Sequence, residues 1–253
     1  MPTLSVLTPV VHGKHHYLGQ TYESLVRQEL PPGWDWQWIV QEDGDTGFLR
    51  GVLPSDPRIS AGASQQGRAA MARTMGLARA EGELIRALDA DDVLPDGALE
   101  QEIKALASSP EYAWSVSPTL DLMPDGSLVP GPRDPEPGPL PPGALYEGQA
   151  AGSLQVVGTT LCTYTALVRA LGGWQALYSD EDVALLLAVE AVAPGIMLPE
   201  PGLHYRKWSG ATTAQADDYQ PADGAMRNAA ILSRADALRE SGWRWPTAGE
   251  ARI

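Results

Sequence analysis

A chain of 253 residues, 43% hydrophobic and 20% charged, has the composition of an ordinary globular protein and the length to bury a sizeable core. Its net charge of −14, with only three lysines (Lys14, Lys104 and Lys207), excludes nucleic acid as a partner, because phosphate backbones are held by clustered cations. The single cysteine, Cys162, excludes an internal disulfide and a cysteine-cluster metal site, and reads as a small residue in a packed segment.

No apolar run is long enough to span a bilayer, since "VALLLAVEAVA" (Val183–Ala193) is short and carries Glu190. The opening "MPTLSVLTPV" lacks the basic start and cleavage site of a secretory signal, which makes the cytoplasm the expected compartment.

In chain order, the first half alternates strands and helices. "TLSVLTPV" predicts a strand, "YLGQTYESLVRQEL" a helix, and "WQWIVQEDG" a second strand after the break at "PPGWD". "PRISAG" predicts a short third strand, "GRAAMARTMGLARAEG" an alanine-rich helix closed by Gly82, and "ELIRALDA" a fourth strand. "PDGALEQEIKALASS" then opens a helix with Leu99, Ile103 and Leu106 on one face. Such alternation predicts an α/β fold, a Rossmann-like, mostly parallel sheet flanked by helices.

The middle, "MPDGSLVPGPRDPEPGPLPPGALYEG" (residues 123–148), is so rich in Pro and Gly that it predicts no regular element, only a linker, lid or excursion over a site. "GSLQVVGTTLCTYTALVRALGGW" follows as a strand-like run and a short helix ended by Gly172-Gly173. "SDEDVALLLAVEAVAPG" predicts a helix with Asp180, Glu181 and Asp182 in its first turn, "IMLPEPGLHYRKWSG" an extended segment, and "DGAMRNAAILSRADALRESG" a final amphipathic helix.

In parallel sheets, ligands sit beyond the carboxyl ends of the strands. Here the first, second and fourth strands end in Thr8-Pro9, in Glu42-Asp43-Gly44-Asp45 and in Asp89-Ala90-Asp91-Asp92. An Asp-x-Asp pair on an extended chain puts two carboxylates on one side, where they can share a hard cation such as Mg²⁺ or Mn²⁺. The alternative is an acidic turn lying in water. The convergence of three polar strand ends favours a site.

The segments "TLSVLTPVV…YLGQTYESLVRQ", "WIVQEDGD", "GRAAMARTMGLARAEGELIRALDADDVLPDGAL", "LGGW" and "SDEDVALLL" occur in the order seen in family 2 glycosyltransferases, which the chain resembles over residues 3–210. These are inverting enzymes of the GT-A fold that use nucleotide-diphosphate sugars. The resemblance implies one GT-A domain over residues 1–253. Residues 1–122 would form the nucleotide-sugar half, 123–148 the Pro/Gly-rich loop, 149–210 the acceptor and catalytic-base half, and 211–253 a C-terminal helical segment.

It further implies that Thr8 and Pro9 line the nucleobase pocket, that Asp43 bonds the base, and that Arg68 lies near base or phosphate. Asp89 would face the ribose and share with Asp91 a Mg²⁺ or Mn²⁺ ion under the diphosphate, with Asp92 in support. Asp182 matches the general base and Glu181 precedes it. The expected partners are a nucleotide-diphosphate sugar, UDP-linked by family habit, and a small-molecule or glycan acceptor. The Pro-rich segment and the last helix are where acceptor choice or a homodimer contact would lie.

One departure bears on the cation. Trp208 stands where the family frequently has a histidine, so that either His204 supplies the metal contact or Arg206 or Lys207 balances the diphosphate instead. Plainer readings exist for several residues. Asp180, Glu181 and Asp182 could be helix N-terminal acids stabilising by about 0.3–1 kcal/mol each. Asp43 could be only a turn former, and His12, His15 and His16 a solvated loop cluster; Arg73 stands where the family often has the arginine of an Ala-Arg-Asn run, here Ala72-Arg73-Thr74, or is only a helix-surface charge. Two other functions compete. A sugar-nucleotide-forming nucleotidyltransferase lacks its glycine-rich basic loop here, and a catalytically silent nucleotide-sugar-binding protein would not need Asp182. A dinucleotide oxidoreductase is disfavoured because no G-x-G-x-x-G follows the first strand.

Overall fold

A computed structural model describes residues 1–131, 134–208 and 221–246. The first half runs β1 (Thr3–Val10), α1 (Leu18–Val26), β2 (Asp35–Asp43), a short α2 (Leu49–Val52), β3 (Ile59–Ser64), α3 (Arg68–Leu77), β4 (Leu84–Ala87) and α4 (Ala98–Ser108). From Leu4 to Val10 every residue of β1 is buried, as expected for a strand covered on both faces of a parallel sheet. β1 pairs in parallel with β2 and β4, and β2 with β3.

Two expected helices are shorter in fact. α1 stops at Val26, a few residues ahead of Pro31 and Pro32, which could not have continued it. α3 stops at Leu77, and the chain turns through Ala78–Gly82 to enter β4. Glycine is required at that return, since a Cβ on Gly82 would lie 2.7 Å from the backbone of Thr3 and Ser5.

The second half runs β5 (Trp114–Val116), β6 (Thr119–Leu122), β7 (Leu128–Pro130), β8 (Gly138–Pro139), α5 (Ala144–Ala150), β9 (Cys162–Tyr164), α6 (Thr165–Ala170), α7 (Glu181–Val192), β10 (Gly195–Met197), β11 (Leu203–Arg206) and α8 (Pro221–Glu240). The main sheet has the order β3-β2-β1-β4-β9-β5-β10-β8, with β9 antiparallel to both its neighbours. A second sheet has the order β11-β6-β7. The expectation that residues 123–148 hold no regular element is therefore corrected. β7, β8 and the start of α5 lie there, because β6, β10 and α8 offer partners that turn-rich composition cannot reveal.

α7 is the central helix, buried at every position from Ala184 to Val192. Its one acid there, Glu190, is compensated. The Leu145 and Tyr146 N–H groups donate to it at 2.8 and 3.0 Å, and Arg239 of α8 at 3.4 Å. α8 packs on α7 through Arg227, Ile231 and Ala235, one face at four-residue spacing. One hydrophobic cluster spans both halves, from Leu4 to Trp245, and Cys162 is buried within it.

Candidate functional site

The carboxyl ends of β1, β2 and β4 open on one cleft of about 930 Å³. Its walls carry Pro9 and Lys14 after β1, Asp43 at the end of β2, Arg68 and Arg73 of α3, and Asp89 and Asp91 beyond β4. The opposite wall is made by Asp180, Glu181 and Asp182 at the head of α7, with Asp121, Tyr205 and Lys207 from the second sheet.

At the β2 end, the Asp43 carboxylate accepts the N–H groups of Gly67 and Arg68 at 2.6 and 3.0 Å, fixing the entry to α3. Arg68 has φ +67°, a conformation that costs a non-glycine residue of the order of 1–2 kcal/mol. Its guanidinium lies 3.3 Å from the centroid of the Tyr178 ring, on the far wall. Asp180, at φ +64°, is strained in the same way and accepts from Arg227 at 2.9 Å. Strained backbone on both walls of one cleft is typical of a functional site.

Arg73 is buried rather than on the helix surface, which corrects the plainer reading of the sequence. It donates to Asp89 at 2.5 Å and also to Glu181, and so spans the floor of the cleft. Burial alone would weaken its proton affinity, but the charges of Asp89, Glu181 and Asp182 outweigh that and hold it firmly protonated. Beside it, burial and the neighbouring Glu181 push the Asp182 carboxyl up to about 7, against the pull of Arg73. A carboxylate poised there suits a general base.

The acidic turn after β4 is clamped by the end of β11. The Arg206 N–H donates to Asp92 Oδ1 at 2.9 Å, its Nε to the Asp91 carbonyl at 2.6 Å, and its Nη2 to Gln20 at 2.6 Å. Asp92 is buried, and desolvation together with Asp89 and Asp91 pushes its carboxyl up. Asp91 Oδ2 accepts from Lys14 Nζ at 3.0 Å and from Trp208 Nε1 at 3.1 Å.

Of the residues expected from the sequence, the structure brings Pro9, Asp43, Arg68, Asp89, Asp91, Glu181 and Asp182 to the cleft. Three stand elsewhere. Thr8 is fully buried, its hydroxyl taken by the Trp38 indole N–H at 2.9 Å. Arg206 braces the turn from behind. His204 alternates with Tyr205 along β11 and so faces away, toward Asp96 and Arg27, where burial lowers its proton affinity. Arg73 and Lys14 are among the cleft residues that the sequence did not mark as part of the site. Arg73 could have been found from Ala70, Gly76 and Leu77, buried neighbours three or four residues away that mark the covered face of α3. Lys14 sits in a histidine-rich turn with no periodicity to place it.

The donor set does not fit a resident divalent ion as it is arranged. Asp89 is engaged by Arg73 and Asp91 by Lys14 and Trp208, and among the described residues no three His, Cys, Asp or Glu are grouped to hold a metal. An ion at Asp91 would meet the Lys14 ammonium, and two charges 4 Å apart repel by about 4 kcal/mol per unit charge near a protein surface.

Similarity to known proteins accords with this geometry. The family model for glycosyl transferase family 2 matches residues 5–123. The O-antigen biosynthesis protein RfbC of Myxococcus xanthus is 30% identical over 118 residues, 44% of this chain, and the match spans only 9% of that much longer protein. The crystal structure of S. aureus TarS 1–349 in complex with UDP-GlcNAc superimposes with a TM-score of 0.67 at 17% identity, over 95% of this chain and 71% of that one. Its complex with UDP gives 0.63, over 95% and 70%. Residues 5–123 thus match the glycosyl transferase family 2 model, and the chain as a whole shares the fold of the TarS structures.

Proposed function

We propose that the protein is an inverting glycosyltransferase that moves a sugar from a nucleotide-diphosphate donor, UDP-linked by preference, to a hydroxyl of a small-molecule or glycan acceptor. The observation that carries this reading is the meeting of Asp89 and Asp91, at the end of β4, with Glu181 and Asp182, at the head of α7, in one cleft bridged by Arg73. The binding of UDP-GlcNAc and UDP by the TarS structures of similar fold supports the choice of donor class. The chain is read as one catalytic unit, residues 1–122 holding the donor and 149–210 facing the acceptor, with the cytoplasm as its compartment. No helix among the described residues is long and apolar enough to cross a membrane.

The chemistry follows from what this transfer demands. The anomeric carbon becomes oxocarbenium-like as the diphosphate leaves, and an acceptor hydroxyl must lose its proton as it attacks. Asp182 takes that proton from the wall opposite the strand ends, an assistance of about 10²–10⁴-fold. Glu181 does not compete for this role, because its carboxylate is committed to Arg73. Base and leaving group on opposite faces of the sugar give a single displacement with inversion. Arg73 fixes the distance between the two faces, and Asp43 anchors the loop against which the nucleotide would lie.

The test is to incubate the protein with a panel of UDP-, GDP- and dTDP-sugars and follow nucleoside diphosphate release with added acceptors. A second arm supplies UTP with a sugar 1-phosphate. Diphosphate release in the first arm supports transfer, and pyrophosphate release in the second would instead establish a nucleotidyltransferase.

A further inference from the structure

The positive charge at the acidic strand end has a source within the chain. Lys14 leaves the turn after β1 and reaches Asp91 Oδ2 at 3.0 Å, in a pair about one-fifth exposed on the lysine side and one-tenth on the carboxylate side. The Trp208 indole N–H donates to the same oxygen at 3.1 Å, and its ring centroid lies 5.8 Å from the ammonium. Trp208 is held in turn by an edge contact with Tyr17 at 5.5 Å, and Tyr17 lies under the Arg206 guanidinium at 4.9 Å. Arg206 also bonds the Asp91 carbonyl and Asp92, which fixes the backbone of the turn that carries the Asp91 carboxylate.

The other cations of the cleft have different work. Arg73 is divided between Asp89 and Glu181, Lys207 is paired with Asp121 at 3.2 Å, and Arg68 is stacked on Tyr178. An ammonium has three N–H donors, so Lys14 can keep its bond to Asp91 and still offer N–H groups into the cleft.

We propose that Lys14, steadied by Asp91 and Trp208, is the cation that binds the diphosphate of the donor, so that donor binding does not depend on a divalent metal. This rests on the reading of the cleft as a nucleotide-diphosphate site. Asp91 then serves as the holder of a lysine rather than of an ion, and Trp208 completes the seat. Lys14 is a binding residue whose charge also opposes the negative charge growing on the departing diphosphate.

The experiment is calorimetric titration of UDP into the wild-type protein, in EDTA and separately in Mn²⁺, and into Lys14→Met, Lys14→Gln, Lys14→Arg and Trp208→Phe. The expected result is UDP binding in EDTA with an affinity close to that in Mn²⁺. Lys14→Met and Lys14→Gln should each weaken it by about tenfold or more, as for loss of a charge-assisted bond, while Lys14→Arg keeps most of it. Trp208→Phe should weaken it less. Binding of UDP that appears only with Mn²⁺, or affinity in EDTA indifferent to the loss of Lys14, overturns the proposal and leaves the donor site standing. Failure of UDP to bind in either condition would instead defeat the reading of the cleft. The wild-type comparison decides the metal question even if a variant misfolds.

Discussion

The Arg73 guanidinium donates to the Glu181 carboxylate across 108 residues of sequence, and this contact ties the donor half of the sheet to the head of α7. With Asp89 on its other arm, Arg73 keeps the two walls of the cleft at one separation. Arg73→Met would leave Glu181 buried beside Asp182 with no countercharge. The expected cost is about 3–5 kcal/mol of stability, as for removal of one partner from a buried pair. Urea denaturation measures that loss. Transfer should also fall by more than UDP affinity does, because the mutation disturbs the relation between base and donor. A variant of unchanged stability and rate would show that Arg73 is an incidental contact.

Asp182 sets the expected pH dependence. Burial and Glu181 hold its carboxyl at about 7, so below that value it carries the proton it must accept. The rate of transfer should therefore climb as pH rises through about 7 and level off above, while UDP affinity stays nearly flat over the same range. Asp182→Asn should bind UDP as the wild type does, lose about 10²–10⁴-fold in transfer and show no such limb. A profile that falls through this range, or a limb that persists in the Asn variant, would assign the base elsewhere.

The donor half was largely legible because its signals are local. Largely apolar runs mark β1, β2 and β4 as buried strands, and the ends of β2 and β4 lead into the acids that reach the cleft. What escaped the sequence depends on partners far along the chain. A three-residue strand such as β5 has no periodicity to read and exists because neighbours supply its bonds. The inward face of α3 is defined by its packing on β1 and β2, and the spacing of Ala70, Gly76 and Leu77 is the one local sign that Arg73 shares it. His204 was misplaced because a strand turns alternate residues to opposite faces, and the register of β11 against β6 is not written in its four residues.

The core holds a second pair that tests the same electrostatics away from the cleft. Arg86 of β4 donates to Glu102 of α4, and both side chains are fully buried. Burial pushes the Glu102 carboxyl up to about 7 against the pull of Arg86. A folded value above the unfolded 4.5 means that this group favours folding most at low pH and loses that contribution as pH rises toward 7. Arg86→Met removes the pull, so its destabilisation should be greatest at pH 8, about 3–5 kcal/mol, and should shrink toward pH 5 as Glu102 takes up a proton. Arg86→Met with Glu102→Met should recover most of the loss at pH 8. Urea midpoints at the two pH values decide it, and equal destabilisation at both would contradict the buried charge.

Gly158 offers a way to move the base without changing it. A Cβ built there would sit 2.7 Å from Asp182 Oδ2 and 3.0 Å from the Asp182 backbone carbonyl carbon. The carboxylate could yield by rotating, but the backbone of α7 is locked by the buried run from Ala184 to Val192. Gly158→Ala should therefore displace the Asp182 side chain from the cleft while leaving Asp43, Lys14 and the β1–β2–β4 strand ends in place. Transfer should drop by about tenfold to a hundredfold, since misplacement of about 1 Å can cost that much, with UDP affinity unchanged. Gly158→Ser should be no better, because the clash arises from Cβ. Were Gly158→Ala to transfer at the wild-type rate, the carboxylate packed against that glycine could not be the group that takes the acceptor's proton.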